Sequence, residues 1–239
     1  MRSVITAGFV LVAVACGGGA GGGDGGTASD GSGAGADGGG TSPPLGAVQQ
    51  GVATYYDATG AGACSFPATP NDLDVAAMDQ PEWDGSAVCG ACVKVTGPKG
   101  TVTVRIVDLC PGCAKGHLDL SQQAFAKIAD LPQGKVSISW QVVPCAVTGN
   151  ISYQLKDGSS QWWTAFQVRN HRTPVKSFAY QKNGAWVDVP RTSYNYFVVS
   201  GGTGPAPVKV RATSVEGESV EDTIGDLTPL KVYPGSGQF

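Results

Sequence analysis

The last 94 of the 239 residues contain no cysteine, although the chain has seven. No apolar run is long enough to cross a bilayer. The best candidate, residues 4–15, falls short of the roughly 20 residues a spanning helix needs. Basic side chains form no dense stripe: residues 45–149 hold 6 basic and 9 acidic side chains, net −3, and residues 150–239 hold 9 and 7, net +2. That argues against a nucleic-acid partner and favours a neutral one. Helical periodicity of useful length is missing from the second half, and no internal repeat is detectable. The two histidines, His117 and His171, lie in different halves, so a shared metal site is not expected, nor is a cofactor. Aromatic and large aliphatic residues are absent from 17–40, a run of Gly, Ala, Asp, Ser and Thr. Such a run cannot offset its ordering entropy by apolar burial, so residues 17–45 read as a flexible tether. Its Gly-x-Gly matches lack the strand before and helix after that would give them meaning.

What is present begins with a leader. Residues 1–16 carry one charge, Arg2, then the apolar run, and end in Ala13-Val14-Ala15-Cys16. This reads as an export signal. The ending resembles a bacterial lipoprotein cleavage site, in which Cys16 would become the lipidated N-terminus; plain cleavage and free secretion is the alternative. On either reading the protein is secreted or extracellular, with no membrane contact beyond such an anchor, and a monomer is expected. With Cys16 set aside, Cys64, Cys89, Cys92, Cys110, Cys113 and Cys145 remain, all within 82 residues. An even set in an exported β-domain reads as three disulfides. The chain is thus expected to be mainly β, with a stapled domain over 46–148 and a cysteine-free one over 149–239.

In the first domain, 52–56 reads as a strand, 93–96 and 101–107 as a hairpin, and 136–142 as a further strand. One helix is expected over 122–129, with Ser121 as N-cap and Phe125 and Ile128 on one face. Several short strands with little helix suggest a small barrel. The second domain offers strands at 151–155, 162–169, 175–180, 185–189, 194–199 and 208–212, with Asn183-Gly184 as a hairpin turn. A β-sandwich is expected there, with Phe166, Phe178 and Trp186 in its core.

Cys89-x-x-Cys92 and Cys110-x-x-Cys113 have the spacing of a four-cysteine zinc site. The two flanking cysteines and the oxidising compartment favour disulfides instead. A redox reading of Cys110-Pro111-Gly112-Cys113 lacks the surrounding βαβ pattern. Two carboxylates attract attention: Asp108, after the strand 101–107, and Asp119, before the helix. An acid before a helix is as readily an electrostatic partner of the helix N-terminus as a functional group.

Gly51-Val52-Ala53-Thr54-Tyr55-Tyr56, Val107-Asp108-Leu109-Cys110-Pro111 and His117-Leu118-Asp119-Leu120-Ser121 resemble the successive motifs of expansins. Trp162-Trp163 and Gln167-Val168-Arg169-Asn170-His171 resemble the second domain of bacterial expansins, and the likeness runs in order over residues 48–239. The resemblance implies a six-stranded double-psi β-barrel followed by an immunoglobulin-like β-sandwich of the carbohydrate-binding kind. It implies a protein that binds cellulose and loosens plant-type walls without cutting glycans, so not an enzyme. By the same resemblance Thr54, Tyr56, Asp108 and Asp119 match the polar groove of the barrel. Asp119 matches the acid needed for loosening and, in related hydrolases, the proton donor. Trp162, Trp163 and Tyr194 match an aromatic platform, with Lys156 at its edge. The resemblance to plant and fungal members also implies the pairs Cys64–Cys89 and Cys92–Cys145, leaving Cys110–Cys113.

Inverting glycosidases need a second carboxylate about 6.5–9.5 Å from the acid. Related hydrolases carry it at the last position of Thr-x-Tyr-x-Asp, which here is Ala58. Asp57 is one residue early, and on a regular strand would face the other way. Cys110 stands where bacterial members carry a tyrosine. Adjacent strand residues face opposite sides, so Trp162 and Trp163 can both reach the surface only at a bulge or bend. Cellulose and other wall polysaccharides, peptidoglycan among them, are the expected partners. The rival readings are an endoglucanase or lytic transglycosylase using the same groove, and a tethered adhesin that binds without loosening.

Overall fold

A computed structural model describes residues 45–239. The export signal, the lipidation of Cys16 and all but the last residue of the 17–45 tether lie outside the described residues. Six strands, β1 (Gln49–Tyr56), β2 (Val75–Asp79), β3 (Cys92–Gly97), β4 (Gly100–Cys110), β5 (His117–Ser121) and β6 (Val136–Val143), close a barrel in the order β1-β5-β2-β4-β3-β6. β1 runs parallel to β5 and β2 to β4, while the other neighbours are antiparallel. Alternate side chains such as Val93, Val95, Val104, Ile106, Leu118 and Leu120 fill the interior with no exposure. Helix α1 (Gln122–Ile128) follows β5 directly. The Ser121 hydroxyl caps it by accepting from the Ala124 amide at 3.0 Å, and Phe125 and Ile128 are its buried face.

β2 is not visible in the residue pattern. Val75-Ala76-Ala77-Met78-Asp79 is buried at every position, so no polar–apolar alternation marks it. β4 also runs three residues further than expected, because β2 pairs along it as far as Asp79 opposite Cys110. Asp108 therefore lies inside a strand, not after one.

Eight further strands form two four-stranded sheets. One is β10 (Ala185–Val189), β9 (Val175–Lys182), β12 (Val208–Ser214) and β13 (Ser219–Ile224); the other is β11 (Phe197–Val199), β8 (Thr164–Arg169), β7 (Ser152–Leu155) and β14 (Val232–Pro234). Phe178 sits at the centre of the core between them, 5.0 Å from Phe166 and 5.2 Å from Phe197 between ring centroids. Asn183 and Gly184 both take positive φ at the β9–β10 turn. Trp186 does not join this core. It is half-buried on edge strand β10, covered by the Arg211 guanidinium 4.5 Å from its ring. β13 and β14 also escape a sequence reading, since charged residues interrupt the first and the second is three residues long.

Three disulfides staple the barrel: Cys64–Cys89, Cys92–Cys145 and Cys110–Cys113. The first also marks the junction with the sandwich. The Cys64 carbonyl accepts from Gln167 Nε2 (3.0 Å) and Asn195 Nδ2 (3.2 Å), and Ser86 Oγ donates to the Thr192 carbonyl (2.7 Å). Gln167 and Asn195 are buried amides whose partners lie across the junction, so polar groups are satisfied there rather than solvated.

Candidate functional site

Strand register brings the candidate polar residues into one row. Thr54 of β1 lies opposite Asp119 of β5, Asp119 opposite Ala77 of β2, and Ala77 opposite Asp108 of β4. Directly paired residues share a face. Leu118 and Leu120, on either side of Asp119, point into the core, so Asp119 points away from it. The small Ala77 leaves space between the two acids, whose backbones are two strand spacings apart, about 10 Å. Tyr56 follows Thr54 on the same face.

Hydrogen bonds fix the row. Thr54 Oγ1 donates to Asp119 Oδ1 at 2.5 Å. Its single proton is then used, so Oγ1 accepts from His117 Nε2 at 2.9 Å. Burial holds the His117 imidazole below its ordinary range, with Asp119 pulling the other way, and the neutral ring keeps its one N–H on Thr54. Asp108 Oδ1 accepts from the amides of Ala63 (2.7 Å) and Leu109 (2.9 Å). Gly62 makes this possible: a Cβ there would lie 2.5 Å from Asp108 Cβ. Burial raises the Tyr56 phenol above its ordinary value, and the negative charges of Asp108 and then Asp119 add to it. Among the described residues its buried hydroxyl has no partner, so Tyr56 holds an unspent donor within the field of both acids.

The position of Asp57 follows from the end of β1. The Ala58 amide turns back onto the Tyr56 carbonyl at 3.0 Å, and Gln122 of α1 donates to Asp57 Oδ1 at 2.5 Å. Asp57 thus sits with Tyr55, whose ring packs 4.9 Å from Phe125, on the α1 side rather than beside Thr54. Ala58 packs partly against the barrel core.

Three residues of this neighbourhood are not among the site residues that the sequence predicts. His117 does carry a signal: two residues before Asp119 on one strand means the same face. Asp79 and Glu82 carry none, because β2 shows no strand pattern. Asp79 is fully buried and accepts from the amides of Gly116 (2.8 Å) and Glu82 (2.9 Å), fixing the loop that delivers His117. Burial, and next the adjacent Asp79, pushes the Glu82 carboxyl above its usual range.

The aromatic candidates gather elsewhere. Trp162 and Trp163 stand in the β7–β8 connection, ahead of β8, where Ser160 pairs with Trp163 in an isolated bridge. The turn, rather than a bulge in a strand, frees both from strict alternation. Trp162 is 73% exposed, and the Trp163 side chain is half-buried. A Cβ on Gly202 would lie 2.5 Å from Trp162 Cα, so a glycine is needed behind the turn. Tyr194 is exposed in a turn before β11 rather than in a strand. Its ring lies 6.0 Å from that of Tyr196, and the Lys156 ammonium sits 5.7 Å from the Tyr196 ring. Tyr196 thus links Tyr194 to Lys156, and Lys156 opens the connection that carries both tryptophans.

A six-stranded barrel with an acid row, followed by a sandwich with exposed aromatics, is an architecture this chain shares with known proteins. Residues 48–140 match the family model described as lytic transglycolase, a double-psi β-barrel family. Over 202 residues the chain is 40% identical to Expansin-YoaJ of Bacillus subtilis, covering 80% of this chain and 87% of that one. It is 35% identical to Expansin-like protein 5 of Dictyostelium discoideum, over 78% of this chain and 83% of the other. A crystal structure of a mutant Clavibacter michiganensis expansin in complex with cellohexaose superposes with a TM-score of 0.75 at 33% identity, covering 80% of this chain and 98% of that one. The chain belongs to the expansins.

Proposed function

We propose that this protein binds cellulose through its sandwich and loosens plant-type cell walls through its barrel without cutting glycan chains. In this reading residues 149–239 dock on an uncharged glucan by laying Trp162, Trp163 and Tyr194 against sugar C–H faces, with Lys156 at the edge. Residues 46–148 hold a neighbouring chain against Thr54, Tyr56, Asp108 and Asp119. Tyr56 donates, the carboxylates accept, and glucan–glucan hydrogen bonds are exchanged for glucan–protein ones. The protein acts as a monomer outside the cell, free or tethered through Cys16, and needs no metal or cofactor. The crystallised relative with cellohexaose supports a β-glucan ligand.

The observation that carries the non-hydrolytic reading is the pairing at the end of β1. Asp57 is held by Gln122 on the α1 side, and Ala58 occupies the place of the second carboxylate. An inverting hydrolase needs that group to activate water. The test uses Asp119→Asn and wild type side by side in three assays: wall creep, cellulose pull-down and release of reducing ends from amorphous cellulose. Creep is expected to vanish in the variant while pull-down stays near wild type, with no reducing ends from either protein. Reducing ends released by wild type and lost in Asp119→Asn would establish an enzyme instead. The same assays on peptidoglycan decide whether it is also a target, as the description of the matching barrel family suggests.

A further inference from the structure

Away from the acid row, a cleft of about 500 Å³ opens between barrel and sandwich, lined among others by Phe66, Asp72, Arg105, Arg169 and His171. Arg105 comes from β4 and Arg169 from the end of β8. Both guanidiniums lie over the Phe66 ring, at 5.7 and 6.0 Å from its centroid. Among the described residues neither is within ion-pair distance of a carboxylate. Arg105 Nε and Nη2 are buried with no hydrogen-bond partner, and Arg169 spends only its Nε, donating to Gln167 Oε1 at 2.5 Å. Two cations are thus held together with several N–H groups unspent. Burial, and to a lesser degree the charge of Arg105, draws the Arg169 guanidinium below its ordinary range. A buried donor without a partner is costly, and a charged one more so. The unspent forks match the planar, two-oxygen geometry of a carboxylate.

We infer that this cleft is a binding site for a sugar-borne carboxylate, a uronate unit of an acidic wall polysaccharide, clamped by Arg105 and Arg169. Asp72 and Asp74 line the same cleft. Asp74 is held in an ion pair by Lys127 Nζ at 2.7 Å, which leaves the Asp72 carboxylate to repel a doubly charged phosphate more than a singly charged uronate and to accept from a sugar hydroxyl. The cleft has room for a monosaccharide unit. The site is independent of the cellulose reading, since it shares no residue with the acid row or the exposed aromatics.

Titration calorimetry at low ionic strength would use trigalacturonate, inorganic phosphate and cellotriose as separate probes of the whole protein. Saturable binding of trigalacturonate is expected, at least about tenfold weaker, or about 1.4 kcal/mol, in Arg105→Gln and in Arg169→Gln and unchanged in Asp119→Asn. Phosphate should bind more weakly and cellotriose should not compete. Because Arg169 also touches the junction through Gln167, NMR of the arginine Nε–H signals on the wild-type protein provides a second measurement. Trigalacturonate should shift the signals of Arg105 and Arg169, assigned from lysine variants, ahead of the other arginines. No saturable binding, binding that survives both arginine variants, phosphate bound as tightly as the uronate, or unmoved Arg105 and Arg169 signals would each overturn the assignment.

Discussion

Acid should weaken this protein through one histidine at the junction of its two halves. His171 is 4% exposed, its Nδ1 2.9 Å from the Thr173 carbonyl, and its ring packs against Gly90 of the barrel. Burial, reinforced by the Arg191 and Arg105 charges, brings its pKa from 6.5 down to about 4, against the pull of the Thr173 and Cys89 carbonyls. In the folded protein the ring is therefore neutral at pH values where the unfolded chain has already taken up a proton. Between about pH 6.5 and about pH 4 the unfolded state binds more protons, so stability falls as pH falls; above that window the group contributes no slope, and below it the loss is complete. Each pKa unit is worth about 1.4 kcal/mol, so the full loss is about 3 kcal/mol. Urea unfolding followed by tryptophan fluorescence across this range, for wild type and His171→Gln, isolates the effect. The variant costs stability at neutral pH, but its profile should be flatter by that amount, since His117 and every carboxylate remain in both proteins. Parallel profiles would show that His171 is not kept neutral by the junction and would refute the reasoning.

Four further outcomes follow from the geometry. Gly62→Ala puts a Cβ 2.5 Å from Asp108 Cβ, so the acid must move; wall creep should fall sharply while cellulose pull-down is unchanged. Trp162→Ala should do the opposite, removing most cellulose binding in a pull-down and shifting the thermal midpoint little, because a 73%-exposed side chain supports little of the fold. Cys92 and Cys145 are 53 residues apart, and chain entropy gives their bond about 4 kcal/mol; replacing both by alanine should lower the urea midpoint by a corresponding amount, whereas opening Cys110–Cys113, three residues apart, should lower it much less. Asn195→Gly keeps the positive φ of that residue but removes its hydrogen bond to Cys64; creep per molecule bound should drop although pull-down persists.

The parts of this architecture that are legible in the sequence are those with a local physical signature. Ser121 ahead of an apolar face marks a helix start, and Asn183-Gly184 marks a turn that requires positive φ. Thr54 and Tyr56 share a face because strands alternate. What local chemistry cannot carry is pairing between strands far apart in sequence. The row Thr54, Asp119, Ala77, Asp108 exists only because β2 threads between β5 and β4, and β2 has no alternation to betray it. Asp79, buried at the end of that unmarked strand, is hidden for the same reason. Trp186 misleads because aromatic content favours a core assignment, while an edge strand with a neighbouring arginine can keep an indole half-exposed under a cation. Trp162 and Trp163 escape strand alternation by preceding the strand altogether, and adjacency in sequence carries no sign of that.

The same long-range pairing joins the two halves mechanically. Tyr194 of the aromatic group is followed by Asn195, whose side chain donates to the Cys64 carbonyl; the preceding residue, Ala63, donates its amide to Asp108. Gln167 holds that Cys64 carbonyl from a second direction, and the Cys64–Cys89 bond ties the same loop to the barrel. Two hydrogen bonds and two covalent steps thus separate a surface aromatic of the sandwich from an acid of the barrel. Each bond alone is worth only about 1 kcal/mol. Their partners are buried amides in a cross-braced loop, however, so a rotation of one half against the other would strand several polar groups at once. A protein that had only to bind would gain nothing from such bracing, because a flexible linker would serve. Bracing becomes useful when one half must hold a surface while the other works on a chain beside it at a fixed height and angle, and that is the division of labour proposed for the two halves of this molecule.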